Sequence, residues 1–295
     1  MNDSLARFTR ASQTAADSVI RTYSTSFGVA TRLLGARHRT YVRSIYAMVR
    51  VADEIVDGVG HEAGLDTEAQ RDQLRAYAAQ AKQAVETGCS SDLVLHAFAQ
   101  AARASGIGAD LMDPFFASME ADLTDQASQG LRVYDGEDYR RYVYGSAEVV
   151  GLMCLKVFLR QERLHADQTA RLEHGARQLG AAFQNVNFLR DLADDTERLN
   201  RSYLTAQAQL TEDDKQDWVR RIAAQLDDAE AAVPLLPKDA RAAVRAALAL
   251  FEELNRRLQK TSVTTLYRRR VRVPDALKGI MAARAVAQTY AEVRT

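Results

Sequence analysis

Very little in this 295-residue sequence supports covalent cross-linking, sheet structure or a membrane span. The two cysteines, Cys89 and Cys154, are too few for a disulfide framework. Four prolines and 15 glycines impose few breaks, and Ile/Val clusters with strand alternation are absent apart from the short RVRV at 270–273. No run approaches the ~18 consecutive apolar residues of a bilayer span. The opening MNDSLARFTR lacks the apolar core of a signal peptide. Lys plus Arg and Asp plus Glu number 39 each, so no global field draws the chain to nucleic acid. These absences predict a reduced, cytoplasmic setting, with peripheral contact at the inner membrane face still open.

What is present favours helix. Ala, Leu, Arg, Gln and Glu dominate the long windows. Apolar residues recur at helical spacing through 11–35, 38–57, 66–87, 91–104, 109–128, 136–160, 166–198, 212–231, 237–261 and 274–292. The separators carry turn chemistry: Gly35, DGVG at 57–60, TGCSS at 87–91, SGIG at 105–108, YDGED at 134–138, and Pro234 with Pro237. None is long enough to link domains, and no fixed-period repeat occurs. The predicted architecture is one all-α domain over 1–295, a helical bundle with an apolar central cavity.

Two stripes of polar residues interrupt the amphipathic pattern. In VRVADEIVDG, 49–58, Asp53 and Asp57 stand four apart, and Arg50 and Tyr46 continue the same face one and two turns earlier. On an exposed helix such a like-charged pair costs only a few tenths of a kcal/mol, so alone it means little. In FQNVNFLRDLADD, 183–195, Gln184, Asn187, Asp191 and Asp195 form a second stripe with Arg190 beside it. If both helices face one cavity, four carboxylates meet there. At ~5 Å and an effective dielectric of ~20, each pair repels by about 3 kcal/mol. Cations or protons must then neutralise them. All the donors are oxygens, with no His or Cys at ligand spacing, so a hard divalent cation fits, Mg²⁺ first and Mn²⁺ second. Arg50 and Arg190 offer guanidinium forks to phosphate. The substrate this chemistry suggests is a diphosphate with an apolar tail.

DEIVD at 53–57, NFLRDLADD at 187–195, YSTSF at 23–27, YVYGSAEVVGLM at 142–153 and RSYL at 201–204 together resemble the squalene and phytoene synthase family of head-to-head prenyltransferases. The resemblance covers roughly 20–275, and GSAEVVGLMCL with KTSVTTLYRRRVRVP is most similar to its bacterial phytoene synthase branch. It implies an isoprenoid-synthase helical bundle holding two or three Mg²⁺ ions on Asp53, Asp57, Asn187, Asp191 and Asp195. By motif position, Tyr46, Arg50, Gln184, Arg190 and Arg270 would line the diphosphate sites, and Ser24 and Phe27 would sit near the flap. Tyr142 and Tyr203 would face the reacting carbons. The implied reaction joins two geranylgeranyl diphosphates through a cyclopropylcarbinyl diphosphate to phytoene, in carotenoid biosynthesis and without NADPH. The alternative is the C30 reaction on farnesyl diphosphate. Three positions depart from the family pattern: Glu148 replaces a small residue, Phe251 replaces an expected Tyr, and the spacing from Asp195 to Tyr203 is one residue long.

Other signals have plainer readings. GVGHEAG at 58–64 follows a helix and reads as a turn, and His61-Glu62 lacks the second His of a zinc motif. His38, His96, His165 and His174 are isolated, and Cys154 sits in an apolar run. RRRVR at 268–272 has two readings, a solvated patch or one Arg for diphosphate with the others for anionic lipid. MEADLTD at 119–125 is either a solvated acidic face or a family segment.

Overall fold

The computed structural model describes residues 3–127, 132–134, 136–192, 201–202, 204 and 209–292. The chain begins with α1 (Asp3–Tyr23), which turns Ser12, Ala16 and Ile20 inward. It does not run on to residue 35 as the periodicity predicts. Ser24 takes an extended conformation (φ −144°, ψ 109°) and its side chain accepts from the Phe27 N–H, starting a separate helix, α2 (Thr25–Arg32). An N-cap serine satisfies one of the donors a new helix leaves exposed, and that favours the break.

After α2 come α3 (Ala36–Asp57), the single turn α4 (Val59–Glu62), α5 (Thr67–Thr87), α6 (Leu93–Ser105) and α7 (Ala109–Ala127). Asp66 and Asp92 cap α5 and α6, and Gly88 and Gly106 close them in the left-handed region at φ 79° and 66°. The run α8 (Gly136–Val143), a π-helical segment (Tyr144–Glu148) and α9 (Val149–Leu159) is continuous. Then follow α10 (Ala166–Arg190), α11 (Glu212–Ala232), α12 (Lys238–Lys260), the turn α13 (Val263–Leu266) and α14 (Asp275–Ala291). The RVRV stretch at 270–273 is irregular rather than extended in a sheet. The strand pairing lies elsewhere: β1 (Arg132–Val133) runs parallel to β2 (Arg201–Ser202), with Arg132 opposite Arg201.

Helix α3 packs against α1, α5, α6, α7 and α9, while α10 packs against α9, α11, α12 and the π segment. One hydrophobic cluster joins these layers, with Phe98, Phe115, Met48, Leu74 and Leu189 wholly enclosed. The 24-residue run Gly136–Leu159 is long and apolar enough to cross a bilayer by length and composition alone, but half of its most apolar window is buried against neighbouring helices.

The fold is stapled at one end by Asp239, the second residue of α12. It accepts from Arg37 Nε at 2.7 Å and Nη2 at 2.9 Å and contacts His38 Nε2 at 3.1 Å. Arg37 holds the Asp239 carboxyl down at about 2 despite the cost of its burial. His38 and His96 are wholly buried and hydrogen-bonded, His96 to Thr9 at 2.9 Å, so both are structural. His165 is exposed, and His174 meets Asp228 at the surface.

Candidate active site

The two polar stripes face a single cavity of about 480 Å³, within the ~300–1,000 Å³ range of small-molecule sites. From α3 come Tyr46, Arg50, Asp53 and Asp57; from α10 and the residue beyond it come Gln184, Asn187, Arg190 and Asp191. Ser24, Phe27 and Arg270 complete the predicted set. The stripe on α3 survives intact because that helix runs unbroken through Asp57, giving the four side chains one face. The second does not continue as predicted. Helix α10 ends at Arg190, and Asp191 caps it at φ −103°, ψ 15°. Asp195 and Tyr203 lie outside the described residues, as do 193–198 of the predicted helix.

Arginines already clasp the acids. Arg50 meets Asp53 at 2.7 Å and also binds Glu54, which faces this partner and the Val59 N–H. Asp191 lies between Arg190 (2.7 Å) and Arg270 (2.7 Å), so RRRVR sends Arg270 to the cavity while Arg268, Arg269 and Arg272 are exposed. Burial opposes the Arg50 cation, but Asp53 and Glu54 outweigh it and hold its pKa above the ordinary value. Burial pushes the Tyr46 phenol up, with Arg50 and a hydrogen bond to Ser24 pulling the other way. The Arg50 Nε is buried without a hydrogen-bond partner. Such a donor is costly unless an acceptor reaches it.

The donor set fits a hard cation. Asp53, Asp57, Asn187 and Asp191 present only oxygens from facing walls. Among the described residues no three His, Cys, Asp or Glu side chains converge closely enough to chelate an ion by themselves. Mg²⁺ keeps waters and takes substrate phosphate oxygens among its ligands, so it does not need a protein cage.

The cavity also has apolar lining. Phe27, Val49, Phe115, Met119, Phe188, Leu250, Phe251 and Leu254 line it. Phe251, where the resemblance led to a tyrosine being expected, stacks on Phe183 at 3.6 Å and 16°, so this position offers no hydroxyl. Glu148 ends the π segment and pairs with Arg177 at 2.6 Å, which accounts for an acid at that position. Cys154 is partly buried against the core and its thiol is pushed up to about 12 by burial.

Sequence reading passed over Asp122. Of the two readings of MEADLTD, the structure selects both, residue by residue: Glu120 faces out to Arg75 at 2.6 Å, while Asp122 is 2% exposed and lines the cavity. The available signal was spacing, since Phe115, Met119 and Asp122 stand at i, i+4 and i+7. Asp122 accepts from the Tyr142 hydroxyl at 3.0 Å. Ser146, on the π segment, also lines the cavity, and its hydroxyl is buried without a partner.

Comparison with known proteins follows the same lines. The family model described as squalene/phytoene synthase matches residues 20–276. The phytoene synthase of Pseudescherichia vulneris is 32% identical over 193 residues, covering 62% of this chain and 56% of that protein. The 4,4'-diapophytoene synthase of Staphylococcus haemolyticus is 29% identical over 178 residues, 60% of this chain and 56% of its own. The chain thus spans little more than half the length of these curated relatives. A crystal structure of a dehydrosqualene synthase with bound ligand superposes with a TM-score of 0.72 at 21% identity, covering 97% of this chain and 99% of the other, and shows the shared fold.

Proposed function

Since the chain belongs to the squalene/phytoene synthase family, we propose that it is a Mg²⁺-dependent prenyltransferase that condenses two prenyl diphosphates head to head, with geranylgeranyl diphosphate as substrate and phytoene as product. One observation carries this reading: acids and arginines from α3, α10 and the 268–272 segment meet in a cavity that aromatic and aliphatic side chains also line.

In this reading Arg50, Arg190 and Arg270 bind the diphosphate oxygens, with Tyr46, Gln184 and Ser24 lining the same cavity. Asp53, Asp57, Asn187, Asp191 and Asp195 would hold Mg²⁺, which would supply positive charge to the departing diphosphate as an allylic C–O bond ionises. The apolar wall keeps water from the resulting allylic cation. Attack by the second substrate's double bond and loss of a proton give the cyclopropylcarbinyl diphosphate; a second ionisation, rearrangement and proton loss give the triene. Aromatic faces nearby each stabilise a passing cation by about 0.5–2 kcal/mol. Tyr142 and Phe188 offer two such faces, their ring centres 6.1 Å apart.

A second reading, the C30 reaction on farnesyl diphosphate, is supported by the resemblance to a 4,4'-diapophytoene synthase. Incubating the protein with each diphosphate, with and without MgCl₂ and NADPH, and identifying the extracted hydrocarbon decides between them. A C40 hydrocarbon that needs Mg²⁺ but not NADPH supports the proposal. A C30 product refutes the chain length, and no hydrocarbon from either substrate refutes the condensation. Peripheral contact with anionic lipid through Arg268, Arg269 and Arg272 belongs to the same proposal, and so does a cytoplasmic location.

A further inference from the structure

We propose that Tyr23 is a positioning residue that holds the Arg50 guanidinium edge-on to a bound diphosphate. The proposal rests on the reading above in which Arg50 binds diphosphate, and it assigns a task to an aromatic side chain which that reading leaves unused.

Tyr23 ends α1, and the break before α2 sets its place. The next residue, Ser24, turns the backbone extended while its N–H still bonds the Ile20 carbonyl at 3.0 Å, so the last turn of α1 stays wound over the buried Ile20. Contacts with α3 set the register. Asp17 pairs with Arg43, and about two turns further along both helices the Tyr23 ring lies over Arg50, its centre 4.6 Å from the guanidinium carbon. The ring lines the cavity and is 48% exposed, so it belongs to the rim rather than to the core.

Arg50 is thereby held on three sides. Tyr23 covers one face, Asp53 takes Nη1 at 2.7 Å, and Glu54 takes Nη2. Glu54 is itself fixed: it accepts from the Val59 N–H at 3.3 Å, and a Cβ on Gly58 would meet its Cδ at 2.9 Å. The remaining donor, Nε, is buried without a partner. A guanidinium presents its donors in its own plane, so a ring on its face leaves the edge open and fixes the direction in which that edge points. The ring does this without adding a negative charge that would compete with phosphate for the donors. Such a neutral hold matters because Asp53 has two claims on it. If Asp53 turns to a divalent cation, Arg50 loses one of its two acids, and Tyr23 and Glu54 keep the guanidinium at the rim.

The test uses the full chain and inorganic diphosphate as the probe, titrated by isothermal calorimetry at rising MgCl₂. Tyr23→Leu removes the ring and leaves every charge in place. At saturating MgCl₂ its diphosphate affinity should be about tenfold below wild type, and the gap should shrink to about threefold or less as the metal is withdrawn. Tyr23→Gln, a second ringless variant suited to an exposed position, should lose the same affinity. Tyr23→Phe keeps the ring without the hydroxyl and should restore affinity to within about twofold. Both ringless variants should melt within about 2 °C of wild type. With the prenyl diphosphate that the wild type converts, kcat/KM should fall at least as far as diphosphate affinity does, because charge grows on the leaving group. Wild-type affinity in Tyr23→Leu overturns the proposal. A Tyr23→Phe protein as weak as Tyr23→Leu overturns it too, by making the hydroxyl a direct ligand. So does a loss that is equal at every magnesium concentration, which marks a general structural role, and so does a wild type that binds no diphosphate. A wild type that binds diphosphate but makes no hydrocarbon refutes the condensation reading instead, and the calorimetry then still decides the role of Tyr23.

Discussion

Replacing Gly145 with alanine tests whether the close contact between α7 and the π segment sets the site. A Cβ at this position would fall 2.9 Å from the Pro114 carbonyl carbon, with the Pro114 oxygen and Ser118 Oγ nearer still. The main obstacle is backbone, so no rotamer change relieves it and the two segments must part by about 1 Å to restore ordinary contact. Overpacking of this kind costs about 1–3 kcal/mol, and weakening the Ser118–Tyr142 and Tyr142–Asp122 hydrogen bonds adds roughly 1 kcal/mol each. For a chain of this size each kcal/mol lowers Tm by about 2–4 °C, so a total of about 3–5 kcal/mol should make Gly145→Ala melt about 6–20 °C early. Hydrocarbon formation should fall further than the folded fraction explains, because the same displacement lengthens the 3.0 Å Tyr142–Asp122 contact. Gly279 is the control. It lies inside α14, where an added Cβ meets nothing within 4 Å. Gly279→Ala should therefore raise stability by up to about 1 kcal/mol through helix propensity. Differential scanning calorimetry and the hydrocarbon assay read both variants. A Gly145→Ala protein with wild-type Tm and activity would refute the reasoning.

Arg270→Ala should separate activity from stability. The residue is 45% exposed, so its loss should cost no more than about 1 kcal/mol by calorimetry, while kcat/KM should drop about 10²-fold for want of a donor to developing charge. Leu250 lines both the main cavity and a small void between α2, α12 and α14 walled by Ala30, Ala246 and Ala282. Leu250→Ala should join the two, and competition between C15 and C20 substrates should shift toward the longer tail; an unchanged ratio disproves the connection. Burial holds the His38 and His96 pKa values below the ordinary 6.5. Their neutral forms thus stabilise the fold above that pH, and stability should fall as pH drops below it, by up to ~1.4 kcal/mol per proton per pH unit. Chemical denaturation from pH 8 to 4 should show this slope, reduced in His96→Asn. Asp239, held at about 2 by Arg37, works in the same direction at lower pH. Its contribution is present above the ordinary carboxylate range and is lost as pH falls through about 2, and partial exposure limits it to about 1 kcal/mol. Asp239→Asn should lower stability by about that amount at every pH above the carboxylate range and flatten the further loss between about pH 4 and 2, read by extending the denaturation series to pH 2.

The α3 half of the site was legible because periodicity suffices when a helix is unbroken: Tyr46, Arg50, Asp53 and Asp57 share a face in the sequence and in the cavity. The same arithmetic failed wherever a local cap overrode it. Ser24 splits one predicted helix into two, and the end of α10 at Arg190 makes Asp191 a cap rather than a mid-helix residue. Asp122 was missed for another reason. Its neighbours Glu120 and Ala121 blur the face, and only the packing of α7 against Tyr142 separates the inward acid from the outward one. The π segment leaves no period to read, being a single widened turn within an apolar run.

The arginine clasps on Asp53 and Asp191 bear on how ligands load. Asp53 and Asp191, two of the acids that would take a metal, are already answered by guanidiniums that would take phosphate. Metal alone would have to displace arginine, and diphosphate alone would have to strip arginine from its acid. Arriving together, they exchange partners without leaving either charge stranded, so each should tighten the other's grip to the same extent. Titration of diphosphate at rising magnesium would show a steepening affinity, and the resting pocket would guard itself against stray cations and stray phosphate alike.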